Sequence, residues 1–166
     1  ERLRKQVNLT SGLELDCIYG EFEHWWCKMS IFKVPGPVLY FDLDTTILDD
    51  LSPLVDAAQT ERFITLRDFN LPKRLASGVM AWSGDVSHIY DEFVQDPGGF
   101  MNQYPGGDQD FLHDGGHCPT YWQDILPNHI QSYKCHIRRN TIHPDCRVVA
   151  FHGKPKPWDI PELLKE

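Results

Sequence analysis

Two carboxylates directly follow an apolar, strand-like segment in VLYFDLDTTILDD, residues 38–50. The spacing of Asp42 and Asp44 suits two different chemistries. In the first, Asp42 is a nucleophile that accepts a phosphoryl group, and Asp44 is its acid–base partner. In the second, the pair binds a divalent metal ion on a diphosphate. The motif leaves both chemistries open, so residues elsewhere in the chain must decide between them.

The phosphoryl-transfer interpretation needs a second acidic pair to complete a magnesium site. The best candidates are Asp85 and Asp91 in SGDVSHIYD, but this segment begins at a predicted strand end and continues along a helix, so we expect the two carboxylates to diverge. The DxDxT pattern resembles that of haloacid-dehalogenase-like phosphatases. Their nucleophile lies on the first strand of the domain, whereas residues 1–37 precede the strand here.

A second polar group follows an apolar strand in VVAFHGKPKPW, residues 148–158. His152 offers a nitrogen ligand, and Gly153 allows the chain to turn closely around a ligand. Lys154 and Lys156 follow on a proline-stiffened loop. The segment therefore presents two cations beside a metal-binding side chain.

Together, Asp42, Asp44 and His152 form a donor set that suits Mn²⁺ or Mg²⁺, with diphosphate oxygens as further ligands. Lysines beside such a site would neutralise the remaining phosphate charge. This interpretation makes a nucleoside diphosphate the predicted ligand.

Three other segments carry residues suited to the same ligand. Lys28 lies on a predicted helix that leads into the Asp42 strand, and its ammonium could reach a phosphate. Ser77 and Gly78 stand at a strand start, where small residues let the backbone approach a ligand. Asp108 and Gln109 open a helix after two glycines and offer a carboxylate and an amide to sugar hydroxyls.

The elements that must position these residues alternate between strands and helices, which predicts a single α/β domain, residues 1–166, with a mostly parallel central sheet. The predicted strands are 13–19, 37–44, 62–69, 78–83, 130–137 and 146–153. The predicted helices are 1–9, 24–32, 51–58, 87–94, 108–113 and a short terminal helix. Residues 96–108 are predicted to form a glycine-rich, mobile loop. The two carboxylates then lie at the carboxyl end of a strand, where open α/β sheets bind ligands.

Net charge, hydropathy and cysteine content each disfavour certain classes of protein. The formal net charge is −8, which disfavours nucleic acid and anionic membrane as partners. No segment has the roughly 20 consecutive apolar residues of a membrane-spanning helix. The five cysteines are an odd number without regular spacing, which indicates a reduced, cytoplasmic protein.

Five segments occur in the order WCKM, YFDLD, SGVMAW, GDQDFL and FHGKPKPW, spread over residues 24–160. In this order they resemble the nucleotide-diphospho-sugar transferases of the GT-A fold, in particular the glycogenin-like glycosyltransferase family 8 and related small bacterial and phage glycosyltransferases. The resemblance implies a Rossmann-like, mostly parallel sheet flanked by helices, here with an abbreviated N-terminal part. It also implies metal-dependent transfer of a sugar, with retention, from a nucleoside-diphosphate sugar to a glycan, lipid-linked or protein acceptor.

The resemblance assigns a role to each candidate residue. It implies Asp42, Asp44 and His152 as ligands of Mn²⁺ or Mg²⁺, and Asp108 and Gln109 as catalytic residues. The residues implied to bind the nucleotide sugar are Lys28, Asp42, Ser77, Gly78, Gly153, Lys154 and Lys156. In two places the chain departs from the family pattern: Ala150 stands where the family often has its metal histidine, and Ser77 replaces the usual asparagine.

Two alternative functions remain. One is a haloacid-dehalogenase-like phosphatase with Asp42 as the nucleophile. The other is a non-catalytic module that binds a sugar nucleotide or a glycan.

Overall fold

Short strands and helices alternate along the chain, and the computed structural model describes residues 21–117 and 119–160. The predicted helix 1–9, the strand 13–19 and the terminal helix after residue 160 lie outside these ranges. None of the helices in the described ranges is long and apolar enough to cross a membrane.

The described strands form two sheets. Their bounds are β1 Val38–Phe41, β2 Thr45–Ile47, β3 Ile64–Arg67, β4 Leu75–Trp82, β5 Thr120–Tyr121, β6 Ile130–Ser132 and β7 Val148–Ala150. A four-stranded sheet has the order β1-β4-β3-β5, and a three-stranded sheet has the order β2-β7-β6.

The helices pack on these sheets. The α-helices are α1 Ser52–Thr60, α2 Ser87–Phe93, α3 Pro97–Gln103, α4 Asp108–Asp114 and α5 Trp122–Ile125. A 3-10 helix spans His24–Lys33, a π-helical turn spans Tyr133–Ile137 and a short 3-10 turn spans Pro157–Asp159. The structure is therefore mixed α/β, as predicted.

The prediction of a mostly parallel sheet is wrong. In the described ranges, β1 and β3 both run antiparallel to β4, and β2 runs antiparallel to β7, whereas β3–β5 and β6–β7 are parallel. The connection between β3 and β4, residues 68–74, is shorter than the roughly dozen residues that a parallel crossover needs. Asp68 Oδ1 closes this turn by accepting the backbone N–H groups of Asn70 at 2.7 Å and Leu71 at 2.8 Å.

Two local predictions also fail, each because a side chain caps a helical turn. The predicted loop 96–108 contains α3, which begins where Asp96 accepts the Gly99 N–H at 2.9 Å and Pro97 takes the first helical position. The predicted strand 130–137 ends at Ser132, whose hydroxyl accepts the Cys135 N–H at 3.1 Å. Its second half is therefore the π-helical turn.

Strand β4 lies between two hydrophobic clusters. Met80 and Trp82 face an aromatic cluster that includes residues of the 3-10 helix, α2 and α4. Val79 and Ala81 face an aliphatic cluster that includes residues of α1, β3 and β7. All four side chains are fully buried, as the period of two in a strand predicts for a sheet covered on both faces. Ser77 and Gly78 lie within this central strand, which begins at Leu75 and not, as predicted, at Ser77 and Gly78.

Gly36 provides a test of this packing. A Cβ at Gly36 would overlap the carbonyl oxygen of Trp82 and lie 2.5 Å from the carbonyl carbon of Ser83. We expect Gly36→Ala to lower the free energy of unfolding by about 1–3 kcal/mol in urea titrations. Gly84→Ala is the matched control, because a Cβ there meets no atom within 4 Å. Equal free energies of unfolding for the two variants would contradict the close packing of Gly36 against the backbone of Trp82 and Ser83.

Candidate functional site

The chain passes from one sheet to the other through three residues. Strand β1 ends at Phe41 and strand β2 begins at Thr45, so Asp42, Leu43 and Asp44 bridge the two sheets. Leu43 is 84% exposed, while the carboxylates on either side of it are partly buried. The two carboxylates therefore stand where the two sheets meet.

A cleft of about 270 Å³ opens beside this bridge. Of the predicted site residues, it is lined by Lys28, Asp42, Asp44, Ser77, Gly78, Asp108, Gln109 and His152. Other residues of its lining are Trp25, Leu66, Asp68, Phe69, Asn70, Ala76, Gly106, Ala150 and Phe151. Gly153, Lys154 and Lys156 do not line it, although the Lys156 ammonium reaches Asp44. Five separated segments of sequence thus meet at one place.

Strand register brings the first two of these segments together. The antiparallel pairing of β1 with β4 places Phe41 opposite Val79, and the next backbone bond joins the Asp42 N–H to the Gly78 carbonyl oxygen at 2.9 Å. A Cβ at Gly78 would lie 3.6 Å from Asp42 Oδ2. Gly78 therefore leaves the Asp42 carboxylate open on this side.

The ammonium of Lys28 is the central contact of the cleft. Lys28 Nζ lies 3.0 Å from Asp42 Oδ1 and 3.3 Å from Asp108 Oδ2, and it donates to the Ser77 hydroxyl at 3.0 Å. The Ser77 hydroxyl in turn donates to Asp108 Oδ2 at 2.6 Å. Lys28 is 8% exposed and Asp108 is 4% exposed. A buried cation therefore joins the 3-10 helix, the end of β1, β4 and the start of α4.

This network shifts the pKa values of its members. Burial alone would lower the pKa of Lys28, but the carboxylates of Asp108 and Asp42 outweigh burial and raise it. Burial also raises the pKa of Asp42, against the lowering effects of Lys28 and of the Tyr40 hydroxyl, which donates to Oδ1 at 2.7 Å. Burial and the Asp42 charge raise the pKa of Tyr40, so this hydroxyl remains a donor.

The second carboxylate belongs to the three-stranded sheet. Asp44 accepts a hydrogen bond from the Lys156 ammonium, and its carbonyl oxygen accepts the Phe151 N–H at 3.3 Å. The backbone of Lys156 is itself held, since its N–H donates to Asp159 Oδ2 at 2.9 Å. The Lys156 loop is therefore anchored beside the cleft.

His152 follows β7 and is held by the neighbouring strand. Because β6 and β7 are parallel, Ser132 lies opposite Ala150, and the Ser132 hydroxyl is 2.7 Å from His152 Nε2. The His152 ring stacks on Phe69 with the two ring centroids 6.3 Å apart. Burial, and secondly the charge of Lys134, lower the pKa of His152. The imidazole is therefore neutral at pH 7.

In this arrangement each of the three predicted metal ligands contacts another group of the protein. Lys28 and Tyr40 donate hydrogen bonds to the Asp42 carboxylate. Lys156 donates to the Asp44 carboxylate, and the Ser132 hydroxyl is hydrogen-bonded to His152 Nε2. Among the described residues, no group of three or more His, Cys, Asp or Glu side chains is arranged to hold a metal ion. An ion at Asp44 would compete with the Lys156 ammonium.

Several residues of the site were not predicted. Lys134 Nζ lies 3.0 Å from the position that a Cβ on Gly153 would take, and Gly153 has a φ of 69°, which favours glycine. Lys134 was not predicted, because the sequence indicated a strand at 130–137. The π-helical turn found there gives the Lys134 side chain its direction. Ser132, Tyr40 and Trp25 were also not among the predicted site residues. Tyr40 and Trp25 lie close in sequence to Asp42 and Lys28, whereas only strand register brings Ser132 to His152.

Two predicted residues contribute differently from expectation. Gln109 donates weakly to Asp68 Oδ2 at 3.4 Å, so its amide stays within the cleft. Lys154 is exposed and does not line the cleft.

The second acidic pair of the phosphatase interpretation also lies away from the cleft. Asp85 accepts the N–H of Ser87, the first residue of α2, at 2.8 Å, and Asp91 is exposed on that helix.

Comparison of the chain with protein-family models finds no matching family, and comparison with curated proteins likewise finds no match. Function must therefore be argued from the cleft itself.

Removing the buried cation should destabilise the fold. We expect Lys28→Met to lower the free energy of unfolding by about 3–5 kcal/mol at pH 7, because it leaves buried carboxylates unpaired. Loss of Lys28 raises the pKa of Asp42 further. The folded variant then binds a proton at Asp42 more readily than the unfolded variant does, so the loss of unfolding free energy should become smaller as pH falls from 7 to 5. Urea titrations at both pH values measure this.

Lys33→Met is the matched control on the same helix. Lys33 pairs with Glu21 at 2.5 Å, but both side chains are about half exposed, at 46% and 49%. Its loss should leave the free energy of unfolding nearly unchanged, because solvent screens an exposed ion pair. If Lys28→Met instead lost more unfolding free energy at pH 5 than at pH 7, the ion pairing of Lys28 with Asp42 and Asp108 would be contradicted.

The environment of His152 can be read by NMR. We expect its imidazole to titrate below the ordinary pKa of about 6.5, because burial disfavours the charged form. Lys134→Met should move the midpoint upward by removing a nearby positive charge, whereas the remote Lys33→Met should leave it in place. A wild-type midpoint above 6.5 would show that His152 lies in a different environment.

Proposed function

We propose that this protein is a glycosyltransferase that moves a sugar from a nucleoside-diphosphate sugar to a glycan, lipid-linked or protein acceptor. A cytoplasmic location is part of this proposal. The observation that carries it is the convergence of five distant segments on one cleft. Those segments carry the residues whose types suit a diphosphate and a sugar, and chance placement of unrelated motifs would scatter them over the surface.

The cleft has two chemically distinct walls. On the first wall, His152 and Asp44 line the cleft; Lys156 and Lys134 lie behind them without lining it, Lys156 on Asp44 and Lys134 beside Gly153. Lys28, Asp108 and Gln109 come from the 3-10 helix and α4. The two lysines behind the first wall suit the diphosphate, because ionised donors form strong hydrogen bonds to phosphate oxygens. The carboxylate and amide on the second wall suit sugar hydroxyls.

The proposed reaction breaks the bond between the anomeric carbon and a diphosphate oxygen and forms a bond from that carbon to an acceptor hydroxyl oxygen. The hydroxyl proton leaves to solvent or to the departing diphosphate. Lys156 and Lys134 would stabilise the negative charge that develops on the leaving diphosphate. Lys28 would hold Asp42 and Asp108 in place, and Gln109 would position the sugar.

Participation of Mn²⁺ or Mg²⁺ stays a prediction. The contacts of Asp44 with Lys156 and of His152 with Ser132 argue against a ready-made metal site. Binding experiments should therefore be run with Mn²⁺ and with a chelator, side by side.

The first test is affinity for nucleoside diphosphates and their sugar conjugates by calorimetry, with UDP, UDP-glucose, GDP and GDP-mannose as probes. We expect at least one pair to bind, and we expect Lys156→Ala and Lys134→Ala each to weaken it by about ten- to a hundredfold, since each removes a charged hydrogen bond. Lys33→Ala is the control and should leave affinity unchanged.

Transfer or slow hydrolysis of the bound sugar nucleotide would then distinguish an enzyme from a silent binding module. Turnover of a generic aryl phosphate that Asp42→Asn abolishes would instead favour the phosphatase. If none of these nucleoside diphosphates binds, with or without metal, the proposal is wrong.

A further inference from the structure

One aromatic side chain of the cleft is left open to solvent. Trp25 lines the cleft and is 54% exposed, whereas Trp26, Trp82 and Trp122 are buried. Trp158 is 63% exposed but does not line the cleft. An exposed indole that lines a cleft offers a broad apolar face, with a polar N–H at its edge, to a molecule in that cleft.

Unusual backbone on both sides holds Trp25 in place. His24, just before it, has a φ of 53°, a left-handed conformation that few non-glycine residues adopt. Gly107 has a φ of 93°, and a Cβ there would overlap the pyrrole half of the Trp25 indole. The pyrrole side of the indole therefore packs directly on the Gly107 backbone, and 54% of the residue remains exposed.

The polar groups around the indole suit hydroxyls better than phosphates. Asp108 and Gln109 line the same cleft and directly follow Gly107, on which the indole packs, and Gln109 donates to Asp68. Lys28 already neutralises Asp108, so this wall offers acceptors and an amide but no free cation among these side chains. A pyranose ring has an apolar C–H face and a rim of hydroxyls, which matches an indole bordered by carboxylate and amide groups.

Resting on the proposed function, we propose that Trp25 is a stacking platform for the sugar ring of the donor. The C–H face of the sugar packs on the exposed indole, while its hydroxyls bond to Gln109 and Asp108. Trp25 thus contributes to recognition of the sugar and not of the nucleoside diphosphate.

The test compares affinity for a nucleoside diphosphate with affinity for its sugar conjugate, using UDP with UDP-glucose and GDP with GDP-mannose. We expect Trp25→Ala to weaken binding of the sugar conjugate by about tenfold and to leave binding of the diphosphate within about twofold. Trp25→Phe should retain most of the affinity for the conjugate, because it keeps an aromatic face. Trp158→Ala is the matched control and should change neither affinity.

The alternatives give different results. Equal weakening for the diphosphate and its conjugate would overturn the proposal and indicate that a nucleobase stacks on Trp25. Unchanged affinity of Trp25→Ala for both, with an unchanged melting temperature, would also overturn it. If wild-type protein binds no nucleoside diphosphate, the proposed function fails by itself. In that case methyl glucoside is the deciding probe: fluorescence quenching that depends on Trp25 supports the platform, and no quenching overturns it.

Discussion

A single buried ammonium constrains the site of this protein. Lys28 Nζ is 8% exposed and reaches Asp42, Ser77 and Asp108, which come from three separate elements. Burying any one of these charges without the others would cost several kcal/mol, so the elements that carry them must converge. The convergence fixes the start of α4 against the end of β1 and thereby shapes one wall of the cleft.

The same pairing bears on the proposed nucleoside-diphosphate ligand, because the chain as a whole carries a formal net charge of −8. Lys28 neutralises Asp42 and Asp108 inside the fold, so their charges do not face an incoming ligand unopposed. On the other side of the cleft Lys156 pairs with Asp44, and Lys134 lies beside Gly153. A phosphate that takes Lys156 from Asp44 gains an ionised donor but leaves the Asp44 carboxylate without that partner.

Much of the site was predictable, and much of the topology was not. Eight of the predicted site residues line the cleft. Asp42, Asp44 and His152 follow apolar strands, whereas the other five come from helices or from within β4 and are brought to the cleft by packing. The parallel sheet was wrong because periodicity reports burial and says nothing about strand direction. The helix at Pro97–Gln103 was missed because its glycines masked the Asp96 cap, and Lys134 was missed because a π-helical turn replaces the predicted strand.

The sequence by itself determined the local elements and the chemistry available to them: where apolar strands end, and which carboxylates, lysines and histidine follow. Only the tertiary structure decided how those groups pair. The antiparallel register sets Asp42 beside Gly78, and the parallel register sets Ser132 beside His152. Register and ion pairing join residues far apart in the chain, and neither is encoded in local periodicity. The sequence could therefore indicate that Asp42, Asp44 and His152 share a site, while the folded chain assigned each one a different partner.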